Sequence, residues 1–155
     1  MKILVIQAPY YEAISKDLLD GAMAKLDAAE VETTVVDVPG ALEIPHAISF
    51  AEAANAGYDG YVALGCVIRG ETTHYDYVCE ESARALMDLA LVRQLAIGNG
   101  IITVENEAQA IARSKPDQKD KGGFAAGAVL RMIELRDELM NAKSGKIGFD
   151  FGGEL

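Results

Sequence analysis

The stretch Gly65-Cys-Val-Ile-Arg-Gly-Glu-Thr-Thr-His-Tyr-Asp-Tyr-Val-Cys79 concentrates the side chains that could do chemistry. An apolar run over residues 61–68 stops at Arg69-Gly70, and two threonines, a histidine and an aspartate follow before a helical pattern begins. That is the pattern of a buried strand, a tight turn and a helix N-terminus. The turn formed by Arg69, Gly70, Glu71, Thr72 and Thr73 offers successive backbone N–H groups and hydroxyls to a phosphate. Its plainer use is helix capping by Thr72 or Thr73. His74, one of two histidines, stands beside this turn and two residues before Asp76, where it could move protons near neutral pH. The other, His46, lies in a helical stretch without such company and reads as a helix-face residue. Neither G-x-x-x-x-G-K-[ST] nor G-x-G-x-x-G occurs, so ATP and dinucleotide readings lose.

Two further turns carry candidates. An aromatic at Tyr10 or Tyr11 could stack on a planar heterocycle, or merely pack over a sheet edge. Gly40-Ala41 lets backbone come close, and the free N–H groups that precede Ile44 suit hydroxyls or anions. The alternative there is a simple strand-to-helix turn, with Glu43 near the positive helix end. Cys66 and Cys79 read as two small buried side chains; with His74 they match no zinc spacing.

The elements that must position these residues alternate. Strands are expected over 2–7, 33–38, 61–68 and 100–104, and amphipathic helices follow each of them. The second helix should run over 41–55, the third over 76–95, the fourth to 114 and the last over 124–140. Residues 115–123 read as a polar loop, and the stretch after Asn141 as a loosely ordered tail, giving one domain over 1–141 and a tail over 142–155. Strand–helix alternation predicts an α/β fold, a three-layer α/β/α sandwich on a four-stranded, mostly parallel sheet of the doubly wound, flavodoxin-like kind. In such a sheet the first three turns share the carboxyl edge and converge on one crevice.

Half of the 155 residues are hydrophobic and a quarter charged, which suits a soluble domain. The net charge of −10 argues against a nucleic-acid or anionic-membrane surface, yet leaves room for a small anionic ligand in a local pocket. No apolar run approaches the roughly 20 residues of a membrane span, and the first strand begins too early for a signal peptide. Cytoplasmic residence is the expectation.

Four motifs, Val38-Pro-Gly-Ala-Leu-Glu-Ile-Pro45, the long stretch over 65–79, Gly100-Ile-Ile-Thr-Val-Glu-Asn106 and Lys121-Gly122, together resemble the 6,7-dimethyl-8-ribityllumazine synthase family in order and spacing. The resemblance covers residues 2–139. It implies condensation of 5-amino-6-ribitylaminouracil with 3,4-dihydroxy-2-butanone 4-phosphate, without metal or organic cofactor. By matching positions it assigns Tyr10 to stacking on the pyrimidine and Ala41, Leu42 and Glu43 to the ribityl chain. Cys66, Val67 and Ile68 would meet the pyrimidine edge. Glu71 and Thr72 would bind phosphate, with Arg113 as its cation and Lys121 nearby, and His74 would be the proton donor. Asn99 stands where several relatives carry an aromatic that covers the ring.

Asn99 is expected just before the fourth strand, at the amino edge, away from the crevice. A site shared between neighbouring subunits resolves this, and the resemblance implies a ring of five with sites at the interfaces. Arg113 and Lys121 would then come from the neighbour. Only Met1 precedes Lys2, which leans towards a free pentamer or a pair of pentamers rather than an icosahedral shell. Two rivals stand beside this reading. One is a non-catalytic flavin- or lumazine-binding shell protein. The other is a phosphoacceptor domain, which Gln7-Ala8-Pro9 disfavours because it supplies no paired aspartates.

Overall fold

A computed structural model describes residues 1–143. Nine elements follow in order: β1 (Lys2–Gln7), α1 (Glu12–Ala28), β2 (Glu32–Asp37), α2 (Glu43–Ala53), β3 (Gly60–Ile68), α3 (His74–Val92), β4 (Ile97–Val104), α4 (Glu107–Ser114) and α5 (Lys121–Lys143). The tail expected over 142–155 lies outside the described residues, apart from the two by which α5 enters it.

The four strands form one sheet in the order β2-β1-β3-β4, with every pair parallel. Alternate side chains of each strand feed opposite layers. Ile3, Val5, Val62, Leu64, Ile102 and Val104 pack under α1, α4 and α5 together with Leu18, Leu26, Val129 and Ile133. Leu4, Ile6, Tyr61 and Ala63 pack under α2 and α3 with Ile44, Ile48 and Leu86. From β1 the chain steps one way to β2 through α1, then back past β1 to β3 through α2 on the other face. A uniform crossover hand requires that change of face. It also puts the reversal point between β1 and β3, where an open parallel sheet has its ligand crevice.

Several boundaries differ from expectation: α2 is shorter, at Glu43–Ala53 rather than 41–55, and the starts of β4 and α5 both carry glycines that a neighbouring element requires. β4 starts at Ile97, so Asn99 is its third residue, opposite Ala63, and does not precede the strand. A Cβ on Gly98 would stand 2.0 Å from the Ala125 carbonyl oxygen, so glycine here lets α5 lie against the sheet. Likewise α5 begins at Lys121 rather than 124; a Cβ at Gly122 would stand 1.9 Å from the Leu18 carbonyl oxygen, so glycine lets its first turn lie against α1. The loop is therefore shorter, and Asp120 caps α5 by accepting the Gly123 N–H at 3.0 Å. At the other end of the sheet, α3 starts earlier than expected, at His74, and stops at Val92.

Candidate active site

The turns after β1, β2 and β3 enclose a crevice of about 460 Å³ at the carboxyl edge of the sheet. Its size suits a small-molecule site. Tyr10, Ala41, Leu42, Glu43, Cys66, Val67, Ile68, Thr72 and His74 all line it. Glu71 sits in the same turn without lining the crevice, whereas Asn99, Arg113 and Lys121 lie elsewhere on the chain.

Each wall follows from its local structure. The chain leaves β1 with the Ala8 N–H donating to the Leu64 carbonyl at 2.9 Å, which ties this turn to β3. Tyr10 then projects 74% exposed at the mouth, edge-on to Tyr11 with ring centroids 5.0 Å apart. An exposed aromatic face at a crevice mouth can accept a stacked ring. After β2, the Glu43 N–H donates to the Gly40 carbonyl at 3.1 Å and α2 begins with its free donors towards the crevice. Val67 and Ile68 close the floor at the end of β3 as half-buried side chains. Cys66 is buried, and burial pushes its thiol up to about 12. It stays protonated at neutral pH, so it serves as wall and offers no thiolate.

Thr72 accepts the His74 N–H through Oγ1 at 3.3 Å, and His74 opens α3 as an exposed side chain. The capping and anion-binding readings of this turn are thus compatible, since one donor is capped and the rest of the first turn remains free for a ligand. Of the walls, sequence reasoning passed over Tyr75 and Val78, on the first turns of α3; Tyr11, the alternative to Tyr10, lines the crevice as well. Tyr75 directly follows His74, so a helix starting one residue earlier would have exposed it as a wall. Burial is the main cause that raises its hydroxyl above the ordinary tyrosine range.

The remaining predicted residues are held by their own surroundings. Asn99 is exposed on β4, and its Oδ1 accepts the Ile101 N–H at 3.0 Å. Arg113 lies in the last turn of α4, half-buried, with Nη1 donating to the Gln109 carbonyl at 3.1 Å. The Lys121 ammonium stands 5.1 Å from the centre of the Phe124 ring. His46 lies exposed on α2 beside Phe50, as expected of a helix-face residue. Among the described residues no helix is long and apolar enough to cross a membrane.

A family model described as 6,7-dimethyl-8-ribityllumazine synthase matches residues 1–137. A protein of that name from Bartonella tribocorum is 59% identical over 134 residues, which span 86% of this chain and 89% of that protein. The Bartonella henselae protein of the same name is 58% identical over 137 residues, 88% of each chain. In Rhizobium meliloti, 6,7-dimethyl-8-ribityllumazine synthase 1 is 56% identical over 141 residues, 88% of this chain and 92% of its own. The chain belongs to the 6,7-dimethyl-8-ribityllumazine synthase family.

Proposed function

We propose that this chain condenses 5-amino-6-ribitylaminouracil with 3,4-dihydroxy-2-butanone 4-phosphate to give 6,7-dimethyl-8-ribityllumazine and phosphate, a step of riboflavin biosynthesis. Residues 1–141 carry the activity, in the cytoplasm. The observation that supports it most is the family match across residues 1–137 on a chain whose crevice is lined by Tyr10, Ala41–Glu43, Cys66–Ile68, Thr72 and His74. The named relatives are synthases, and nothing favours the non-catalytic rival.

In the mechanism, the amine of the uracil attacks the butanone carbonyl and water leaves to form an imine. Phosphate is then eliminated, and ring closure with loss of a second water gives the lumazine. Tyr10 stacks on the pyrimidine, Ala41, Leu42 and Glu43 hold the ribityl chain, and the strand end at Cys66, Val67 and Ile68 meets the pyrimidine edge. The backbone at Glu71 and Thr72 receives the phosphate, and His74 moves protons. Holding two reactants together can supply roughly 7–11 kcal/mol, whereas a positioned acid or base gives about 10²–10⁴-fold. Positioning is therefore the larger contribution.

Asn99, Arg113 and Lys121 complete the site from a neighbouring copy in a ring of five or a multiple of it. Their distance from the crevice of their own chain supports this arrangement. The turn also calls for a cation, because its own Arg69 is already paired with Asp76 and Glu105. Mixing the two substrates with the protein and following lumazine fluorescence tests the reaction; absence of product overturns it. Native mass spectrometry tests the ring, and a monomer that turns over at full rate overturns the shared site.

A further inference from the structure

Arg69 opens the phosphate turn, yet its guanidinium is engaged by protein groups. Nε donates to Glu105 at 2.7 Å and Nη1 to Asp76 at 3.2 Å, while the guanidinium carbon lies 4.2 Å from the centre of the Tyr75 ring. Its backbone N–H donates to the Val104 carbonyl at 3.0 Å. These partners belong to separate elements. Asp76 and Tyr75 are in the first turn of α3, and Tyr75 is a wall of the crevice. Glu105 follows β4 and is built into the cap of α4: its N–H donates to Gln109 Oε1 at 2.9 Å, while the Gln109 N–H donates to Asn106 Oδ1 at 3.0 Å. One side chain thus clamps the turn at its root to α3 and to the β4–α4 junction.

We propose that Arg69 is a positioning residue for the phosphate-bearing substrate, fixing the backbone donors of the Gly70–Thr73 turn and the Tyr75 wall by holding Asp76, Glu105 and Tyr75 together. The proposal rests on the reaction proposed above. Two carboxylates against one guanidinium leave the cluster with a formal charge of −1, so Arg69 is not the counter-charge of the phosphate. A planar fork is needed to meet two carboxylates and lie over a ring at once, which an ammonium cannot do. The Arg69, Asp76 and Glu105 side chains are 40%, 57% and 56% exposed, and exposed pairs add little to stability. The clamp should therefore register in catalysis rather than in the melting temperature.

Steady-state kinetics of the full chain with both substrates tests this, using wild type, Arg69→Lys, Arg69→Gln, Glu105→Gln and the Gln/Gln double variant. Arg69→Gln should raise both the KM for the butanone phosphate and the inhibition constant of inorganic phosphate about tenfold or more, as small misplacements do. The KM for the uracil should stay within about twofold, since its contacts lie on the turns after β1 and β2 and on the end of β3, which sheet pairing holds in register whatever stands at position 69. Arg69→Lys should fall between, and the double variant should be no worse than Arg69→Gln alone. Unchanged phosphate constants, equal rises for both substrates, or additive losses in the double variant overturn the proposal. If Arg69→Gln does not fold, Glu105→Gln reads the same pair at unchanged shape. An inactive wild type overturns the reaction and this inference together. An active wild type that Arg69→Gln matches overturns the inference alone.

Discussion

Two depressions lie at opposite ends of the same sheet, and the larger is the less suited to chemistry. The groove at the amino edge measures about 830 Å³ against about 460 Å³ for the crevice. Leu91, Leu95, Met132, Leu135, Leu139 and Met140 line much of it, with Arg93 and Arg136 among them. Helix α3 ends there, offering unpaired carbonyls, while at the carboxyl edge α2 and α3 begin and offer N–H groups. A parallel sheet sorts helix ends in this way, because every crossover starts at one edge and finishes at the other. Polarity rather than volume therefore marks the site, and an anionic substrate belongs at the carboxyl edge.

Substitutions can break that comparison. The largest expected effect is on turnover: His74→Ala should lower kcat about 10²-fold, the low end for a positioned acid or base, with folding and substrate binding intact. Complete loss of turnover in a folded, binding-competent variant would mean that proton transfer outweighs positioning. Next, Arg113→Ala should raise the KM for the phosphate substrate about tenfold, the scale of a lost charge-assisted hydrogen bond. An unchanged KM removes Arg113 from the phosphate.

A pH experiment probes the crevice floor. Burial holds the Cys66 thiol neutral up to about 12, so the folded state binds that proton more tightly than the unfolded chain, whose thiol titrates near 9. The resulting stability is intact below about pH 9 and falls as the pH climbs from there towards about 12. Melting temperatures between pH 8 and 11 should show this decline, and Cys66→Ala should flatten its first part. Equal slopes in the two proteins would refute the assignment. The smallest effect belongs to the groove: Leu91→Ser, on a side chain already 71% exposed, should shift stability by no more than about 0.5 kcal/mol and leave turnover unchanged. A larger loss would show that the groove is covered in the assembly.

Local pattern made most of the fold legible. Runs such as Lys2–Gln7 and Gly60–Ile68, punctuated by Pro39-Gly40 and Arg69-Gly70, declare alternating strands and helices without reference to distant residues. What local pattern misreads are positions whose residue type answers to a distant element. Gly98 reads as a strand breaker yet is required by Ala125, and Gly122 reads as loop yet is required by Leu18. The crevice was equally legible, since its walls are the residues next to strand ends. The Arg69–Glu105 pair was not, for its partners are 36 residues apart and only the adjacency of β3 and β4 brings them together.

The Asn99 side chain has a consequence for the margin of the sheet. Tyr61 and Arg69 donate to the Ala96 and Val104 carbonyls, so the even-numbered residues of β4 face β3 and the odd-numbered N–H groups face outwards. β4 is an edge strand, and bare edge donors are a template for indiscriminate pairing and aggregation. By folding back onto the Ile101 N–H, Asn99 blunts that template from within its own strand. The same bond occupies the amide oxygen and leaves the Nδ2 hydrogens to point at whatever approaches. An aromatic ring at this position would leave the Ile101 donor bare.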